Sequence, residues 1–312
     1  MPFFRLLALP ALLVLLILIV GANEYAVARP SRRTQDIAYV SATDPGFSTE
    51  RHRLDVYAPR RKAVAGQPVV VFIHGGNWDS GSKNIYTFIG RRLAKQGVVA
   101  VVINYRLSPQ VQVPAMAEDC ARAVGWTRQH IAEYGGDPQH IFLMGHSAGA
   151  GLAALLATDN RYFTWLGLSQ NPVRGVILDD PAGLDMYDYL LKKQYASDEQ
   201  YLTAFGRDPE GWKAVSALYH LTAASPPFLT FVGGKTYPSI ASSSEKFRQR
   251  LLALGIQPQF TVLPDKKHIP MVLQLYWQHN VIYRQLLPFV GSTSQADRKK
   301  SVSKLPPDLR NK

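Results

Sequence analysis

The chain has 312 residues, 46% of them apolar, enough to bury one large core within a single domain. Its one cysteine, Cys120, excludes an internal disulfide and a thiolate zinc cluster and reads as a small buried hydrophobe. The formal charge is +12, but residues 1–33 contribute +3 and residues 291–312 contribute +4, which leaves the body only +5 and argues against a nucleic-acid partner.

In chain order, Met1 to Arg5 is a basic start, Leu6 to Ala22 is free of charge, and small residues stand at Ala26 and Ala28. Residues 1–28 therefore read as an export signal cut after Ala28, which implies a periplasmic or secreted protein. Retention of residues 6–22 as a membrane anchor is the alternative, and Arg29, Arg32 and Arg33 behind the run would then favour a cytoplasmic face. One folded domain is expected over residues 34–290. Its strand-like runs are Arg53 to Ala58, Val69 to Ile73, Val98 to Asn104, Ile141 to Met144, Val173 to Leu178, Phe228 to Val232 and Phe260 to Leu263. Helical patterns fall at Pro114 to Tyr134, Ala148 to Ala157, Ser242 to Leu254 and Pro270 to Leu287. This alternation predicts an α/β fold with a mostly parallel sheet covered on both faces. Only the first run, Leu54-Asp55-Val56-Tyr57, alternates as a half-exposed edge strand would. Residues 185–225 form a long insertion rich in aromatics, including Tyr187, Tyr189, Tyr195, Tyr201, Phe205 and Trp212, and are expected to make a helical lid. The tail 291–312 is polar, basic and free of aromatics, a composition that predicts disorder.

Two motifs carry chemistry. Gly145-His146-Ser147-Ala148-Gly149 joins a buried strand to a small-residue helix, so Ser147 sits on a strained turn that lifts its hydroxyl clear of the sheet. Upstream, His74-Gly75-Gly76-Asn77-Trp78 ends another apolar run, where unhindered amides of Gly75 and Gly76 can meet a developing oxyanion together with that of Ala148. Other signals fail. Gly234-Lys235-Thr236 mimics the end of a phosphate loop, but Leu229 stands where its first glycine is needed, and no histidine or cysteine pair has metal-ligand spacing; no cofactor or metal is implied.

Together these residues resemble the α/β-hydrolase esterases and lipases, a group with hormone-sensitive-lipase-like, feruloyl-esterase-like and kynurenine-formamidase-like branches. Leu54 to Pro59 resembles the family's opening strand, Asn104-Tyr105-Arg106-Leu107 its next landmark, and Glu118-Asp119 through Trp126 the helix that follows. In relatives the counterparts of Arg106 and Asp119 form an ion pair beneath the site. This fold supplies its histidine last, after the final strand, which selects His268 as the base. His74 and His146 lie in motifs where the backbone matters more than the ring.

The acid departs from the family. Relatives usually carry an aspartate after the strand that here is Phe228 to Val232, but this chain reads Gly233-Gly234-Lys235-Thr236-Tyr237-Pro238 and has no carboxylate before Glu245. One strand earlier, Leu178-Asp179-Asp180-Pro181-Ala182 is similar to the turn that supplies a displaced acid in pancreatic-type lipases. That resemblance selects Asp180, with Asp265 and Glu245 as alternatives, while Asp180 and Asp185 merely capping the lid is the structural rival. The implied activity is hydrolysis of short to medium acyl esters through an acyl-enzyme on Ser147. An arylformamidase-type amide hydrolase and a catalytically silent ligand-binding hydrolase fold are the two alternatives.

Overall fold

The computed structural model describes residues 31–60, 66–192 and 196–291, and Leu18. The expected leader and anchor lie outside the described residues apart from Leu18, and so does the expected tail apart from Gly291, which closes the last helix. Among the described residues no helix is long and apolar enough to cross a membrane.

Eight strands form one sheet: β1 (Ser31–Ala38), β2 (Arg53–Pro59), β3 (Gln67–Ile73), β4 (Val99–Ile103), β5 (Gly136–His146), β6 (Val173–Asp179), β7 (Phe228–Gly233) and β8 (Gln259–Leu263). Their order is β1-β2-β4-β3-β5-β6-β7-β8; β2 is antiparallel to both its neighbours, and every later pairing is parallel. The continuous apolar runs are explained by helices on both faces. Along β3, Val69, Val71 and Ile73 join one core cluster while Val70 and Phe72 join the other, all fully buried. Each such side chain contributes about 1.5–3 kcal/mol by leaving water, which makes a one-residue slip of register prohibitive. Helices Val113–His130, Ala148–Thr158 and Pro238–Ala253 pack on the first face. Helices Thr87–Lys95, His268–Leu273 and Val281–Gly291 pack on the second.

Three sequence expectations are corrected. β2 is not the edge: β1 covers it, starting at Ser31, and the alternation that suggested solvent is a buried ion cluster. Asp55, fully buried, accepts from Arg33 at 2.7 Å and from Lys83 at 2.8 Å. Burial alone would raise the Asp55 pKa, but Lys83, the Asp36 amide and Arg33 outweigh it and hold the carboxyl below its usual value. The expected helix from Pro270 to Leu287 is broken. Asn280 donates to the carbonyls of Gln274 and Trp277 and accepts from the Tyr283 amide at 2.9 Å, so it caps a new helix instead of continuing the old one. Helix Thr87–Lys95, absent from the sequence reading, buries Ile89 and Leu93 under the sheet.

The insertion between β6 and β7 carries the helices Met186–Lys192, Tyr201–Phe205 and Pro209–Ala214. Its aromatics divide. Trp212 is buried and its indole N–H donates to the Gly206 carbonyl at 2.9 Å, whereas Phe205 and Tyr201 meet the ring of Trp78 edge-on at 4.8 and 6.0 Å. Tyr195 lies outside the described residues.

Candidate active site

The carboxyl ends of β3, β5, β6, β7 and β8 converge, the edge at which open parallel sheets bind ligands. At the end of β5, Ser147 adopts φ 55° and ψ −126°, and helix Ala148–Thr158 starts at the next residue. Close packing enforces the turn: a Cβ on Gly149 would lie 2.1 Å from the Ile73 carbonyl oxygen, and one on Gly145 would lie 2.3 Å from that of Gly149. The Ser147 amide donates to the Asp179 carbonyl at 3.1 Å, which ties the elbow to the end of β6. Among the described residues, five non-glycine residues have positive φ, and four of them, Asn77, Trp78, Ser147 and Asp180, belong to this site. Such backbones cost about 1–3 kcal/mol each and persist where packing over-determines them.

His268, the first residue of its helix, brings two partners together. Its Nδ1 lies 2.6 Å from Asp180 Oδ2 and its Nε2 lies 2.9 Å from Ser147 Oγ. A carboxylate only accepts, so Nδ1–H donates to Asp180, and Nε2 is left to accept from the Ser147 hydroxyl. Asp180 is fully buried and accepts also from the Gly233 amide at 2.8 Å and from the Thr236 hydroxyl. The alternative acids lie elsewhere. Asp265 is largely exposed and pairs with Lys235 at 3.0 Å, and Glu245 pairs with Arg248 at 2.7 Å. Capping of the insertion's first helix falls to Asp185, which accepts from the Asp188 amide at 3.1 Å, and not to Asp180.

The glycine loop of residues 74–78 is pinned at both ends. Tyr105 Oη donates to the His74 carbonyl at 2.9 Å, and the Ser108 amide donates to the Trp78 carbonyl, also at 2.9 Å. The segment carrying both donors is anchored by Arg106, whose amide, Nε and Nη2 donate to Asp119 at 3.0, 2.8 and 2.7 Å. Burial would raise the Asp119 pKa, but His52 and Arg106 prevail and hold it below its usual value. Gly75 packs against the nucleophile, since a Cβ there would meet that of Ser147 at 3.1 Å. Gly76 turns the chain with φ +124°, and Ala148 is the first residue of the helix behind Ser147. Burial pushes the Tyr86 hydroxyl up, an effect partly offset by the Gly75 backbone.

Sequence reasoning undervalued two rings and missed two neighbours. His146 stacks on His268 with centroids 4.7 Å apart and donates from Nε2 to the His268 carbonyl at 3.2 Å. Burial, reinforced by His268, lowers its pKa to about 3, so the ring is a neutral floor under the base. His74 is buried against Tyr105 at 4.4 Å, and burial lowers its pKa to about 4. Tyr237 meets the His268 ring at 5.2 Å. Thr236 was dismissed along with the false phosphate loop; the signal that could have found it is the hydroxyl at the address of the family's missing aspartate. Beside the site, Asp179 is fully buried with neither carboxylate oxygen hydrogen-bonded among the described residues, and burial raises its pKa well above the usual range. Among the described residues no group of three or more acidic, histidine or cysteine side chains could hold a metal ion.

An eight-stranded, mostly parallel sheet with a serine elbow, an oxyanion loop and a serine–histidine–aspartate relay at its carboxyl edge defines an α/β-hydrolase fold of the serine type. The chain belongs to the BD-FAE family, whose model matches residues 54–251. A probable isoprenylcysteine alpha-carbonyl methylesterase of Arabidopsis thaliana is 29% identical over 243 residues, covering 72% of this chain and 50% of that protein. The kynurenine formamidase of Danio rerio is 25% identical over 281 residues, 88% of this chain and 90% of that protein. The chain spans about half the length of the plant methylesterases it matches. Among solved structures, an inhibited esterase B from Lactobacillus rhamnosis has a TM-score of 0.70 at 22% identity, covering 96% of this chain and 98% of that one, a likeness of fold. Esterase 2 of Thermogutta terrifontis, phosphonylated by sarin, is 26% identical with a TM-score of 0.61, over 72% of this chain and 86% of that one.

Proposed function

We propose that the protein is a serine carboxylic-ester hydrolase acting on short to medium acyl esters, with Ser147 as nucleophile, His268 as base and Asp180 as the acid. The observation that carries this reading is His268, hydrogen-bonded to Ser147 Oγ through one nitrogen and to the buried Asp180 through the other. As the Ser147 hydroxyl attacks the ester carbonyl, Nε2 takes its proton; Asp180 holds the tautomer and stabilises the imidazolium. The negative oxygen is met by the amides of Gly75, Gly76 and Ala148, and one such donor is worth about 3 kcal/mol. His268 then protonates the leaving alcohol, an acyl-enzyme forms on Ser147, and water releases the acid by the same steps.

Names of relatives support ester chemistry: methylesterases, and an esterase that sarin phosphonylates. The silent-binder alternative was motivated by the missing aspartate, and a buried acid on His268 removes that motive. Amide hydrolysis of an aryl formamide is the second reading, favoured by the near full-length match to a formamidase. The test is turnover of p-nitrophenyl acetate and butyrate beside an aryl formamide, with fluorophosphonate labelling of wild type and Ser147→Ala. Ester turnover and labelling that both vanish in Ser147→Ala support the proposal; folded wild type that neither turns over esters nor takes the label overturns it. The composition of residues 1–28 supports export, tested by cell fractionation and N-terminal sequencing of the mature protein: a periplasmic or secreted protein starting at Arg29 supports it, and a cytoplasmic chain starting at Met1 refutes it.

A further inference from the structure

We propose that Thr236 is the positioning residue of the displaced acid, an inference that rests on the ester-hydrolase reading of the site. Asp180 leaves β6 with φ 49°, a conformation that its own chain does not favour, and its carboxylate is fully buried. Among the described residues three groups donate to it: His268 Nδ1 and the Thr236 hydroxyl to Oδ2, and the Gly233 amide to Oδ1. Two of the three come from the last residue of β7 and the turn that follows it, the address from which the family's usual aspartate is missing. That turn is fastened to the loop that carries the base. The Gly234 amide donates to the Leu263 carbonyl at 2.8 Å and the Lys235 amide to that of Lys266 at 2.9 Å, while the Thr236 amide closes the turn itself on the Gly233 carbonyl at 3.2 Å. A Cβ on Gly233 would lie 2.5 Å from the Lys266 carbonyl oxygen, so the two backbones touch.

The geometry gives each group one task. The Gly233 amide stops the carboxylate from rotating about its last bond, and the Thr236 hydroxyl fixes the lateral position of the oxygen that faces His268. Thr236 touches no reacting atom and acts through Asp180. Its loss lets the carboxylate swing away from Nδ1, so the imidazole loses the orientation in which Nε2 meets Ser147. The consequence falls on turnover and not on substrate affinity.

Two substitutions separate the hydroxyl from its shape. Thr236→Val keeps the branched outline and deletes the donor, whereas Thr236→Ser keeps the donor and deletes a methyl group. With p-nitrophenyl butyrate and the full chain, Thr236→Val is expected to lower kcat by about ten- to a hundredfold with KM unchanged within about twofold, and Thr236→Ser to stay within about threefold of wild type. Folding is checked by near-ultraviolet circular dichroism; Thr236→Ala, with the same expected loss, replaces the valine variant if that one does not fold. Wild-type kcat in the donor-less variant, or an equal loss in Thr236→Ser, overturns the proposal. Asp180→Asn is run beside them: its inactivity with an unaffected Thr236→Val condemns the positioning role alone, and its full activity condemns the triad reading as well.

Discussion

Asp119→Ala strips Arg106 of three hydrogen bonds and His52 of its charged partner in one step. Asp119 is fully buried and His52 almost so, whereas the Arg106 side chain is 21% exposed and can turn partly to water. Breaking a buried pair by removing one partner costs about 3–5 kcal/mol, and the partial escape of Arg106 places this case at about 3 kcal/mol. For a domain of this size that is a fall in Tm of about 6–12 °C. The pH dependence has a definite sign. The folded pKa of Asp119 lies below its ordinary value of 3.8, so its contribution is complete above that value and is lost as pH falls through the lower folded one. Urea unfolding followed by tryptophan fluorescence should therefore show a constant gap between wild type and variant near neutrality that narrows below about pH 4. A gap under about 1 kcal/mol at pH 7, or one that widens in acid, would refute the claim that this carboxylate anchors the segment bracing the oxyanion loop.

Two further perturbations separate neighbouring groups. Asp179 binds a proton more tightly folded than unfolded, so it subtracts stability as pH rises above 3.8; Asp179→Asn should be more stable than wild type at pH 8, with the advantage fading towards pH 4, and keep its activity. Equilibrium unfolding at the two pH values checks this, and a variant less stable than wild type at pH 8 would contradict it. Phe205→Ala removes the ring of the β6–β7 insertion that meets Trp78, at a stability cost of about 3 kcal/mol, and should shift preference towards longer acyl chains in a p-nitrophenyl ester series; an unchanged preference in the folded variant counts against the insertion as a wall of the acyl pocket.

Much of this architecture is legible in the sequence because its signals are local. Val69 to Ile73 and Ile141 to Met144 are apolar without interruption because strands covered on both faces have no polar side, and glycines flank Ser147 because no Cβ fits where helix and strand touch. His268 follows from the resemblance and from its place directly after the last strand. What escaped was set by distant partners. The polar run Ser31–Ala38 carries no pattern that marks it as a strand; it is held by the register with β2 and by Arg33 reaching Asp55. Asn280 breaks the terminal helix through carbonyls that only the folded chain presents. At the site, the sequence offers Asp180 in place of the missing aspartate but not Thr236, the hydroxyl that holds it: the two lie 56 residues apart and meet because β6 and β7 are neighbours in the sheet.

The proposed chemistry depends on Asp180 acting from the end of β6. The most direct measurement is kcat for p-nitrophenyl butyrate with the full chain and with Asp180→Asn, the fold of each verified by circular dichroism. A loss of about four orders of magnitude is expected in the variant, because the imidazole then loses the partner that sets its tautomer and stabilises its charge. Turnover within a few-fold of wild type in folded Asp180→Asn would contradict it.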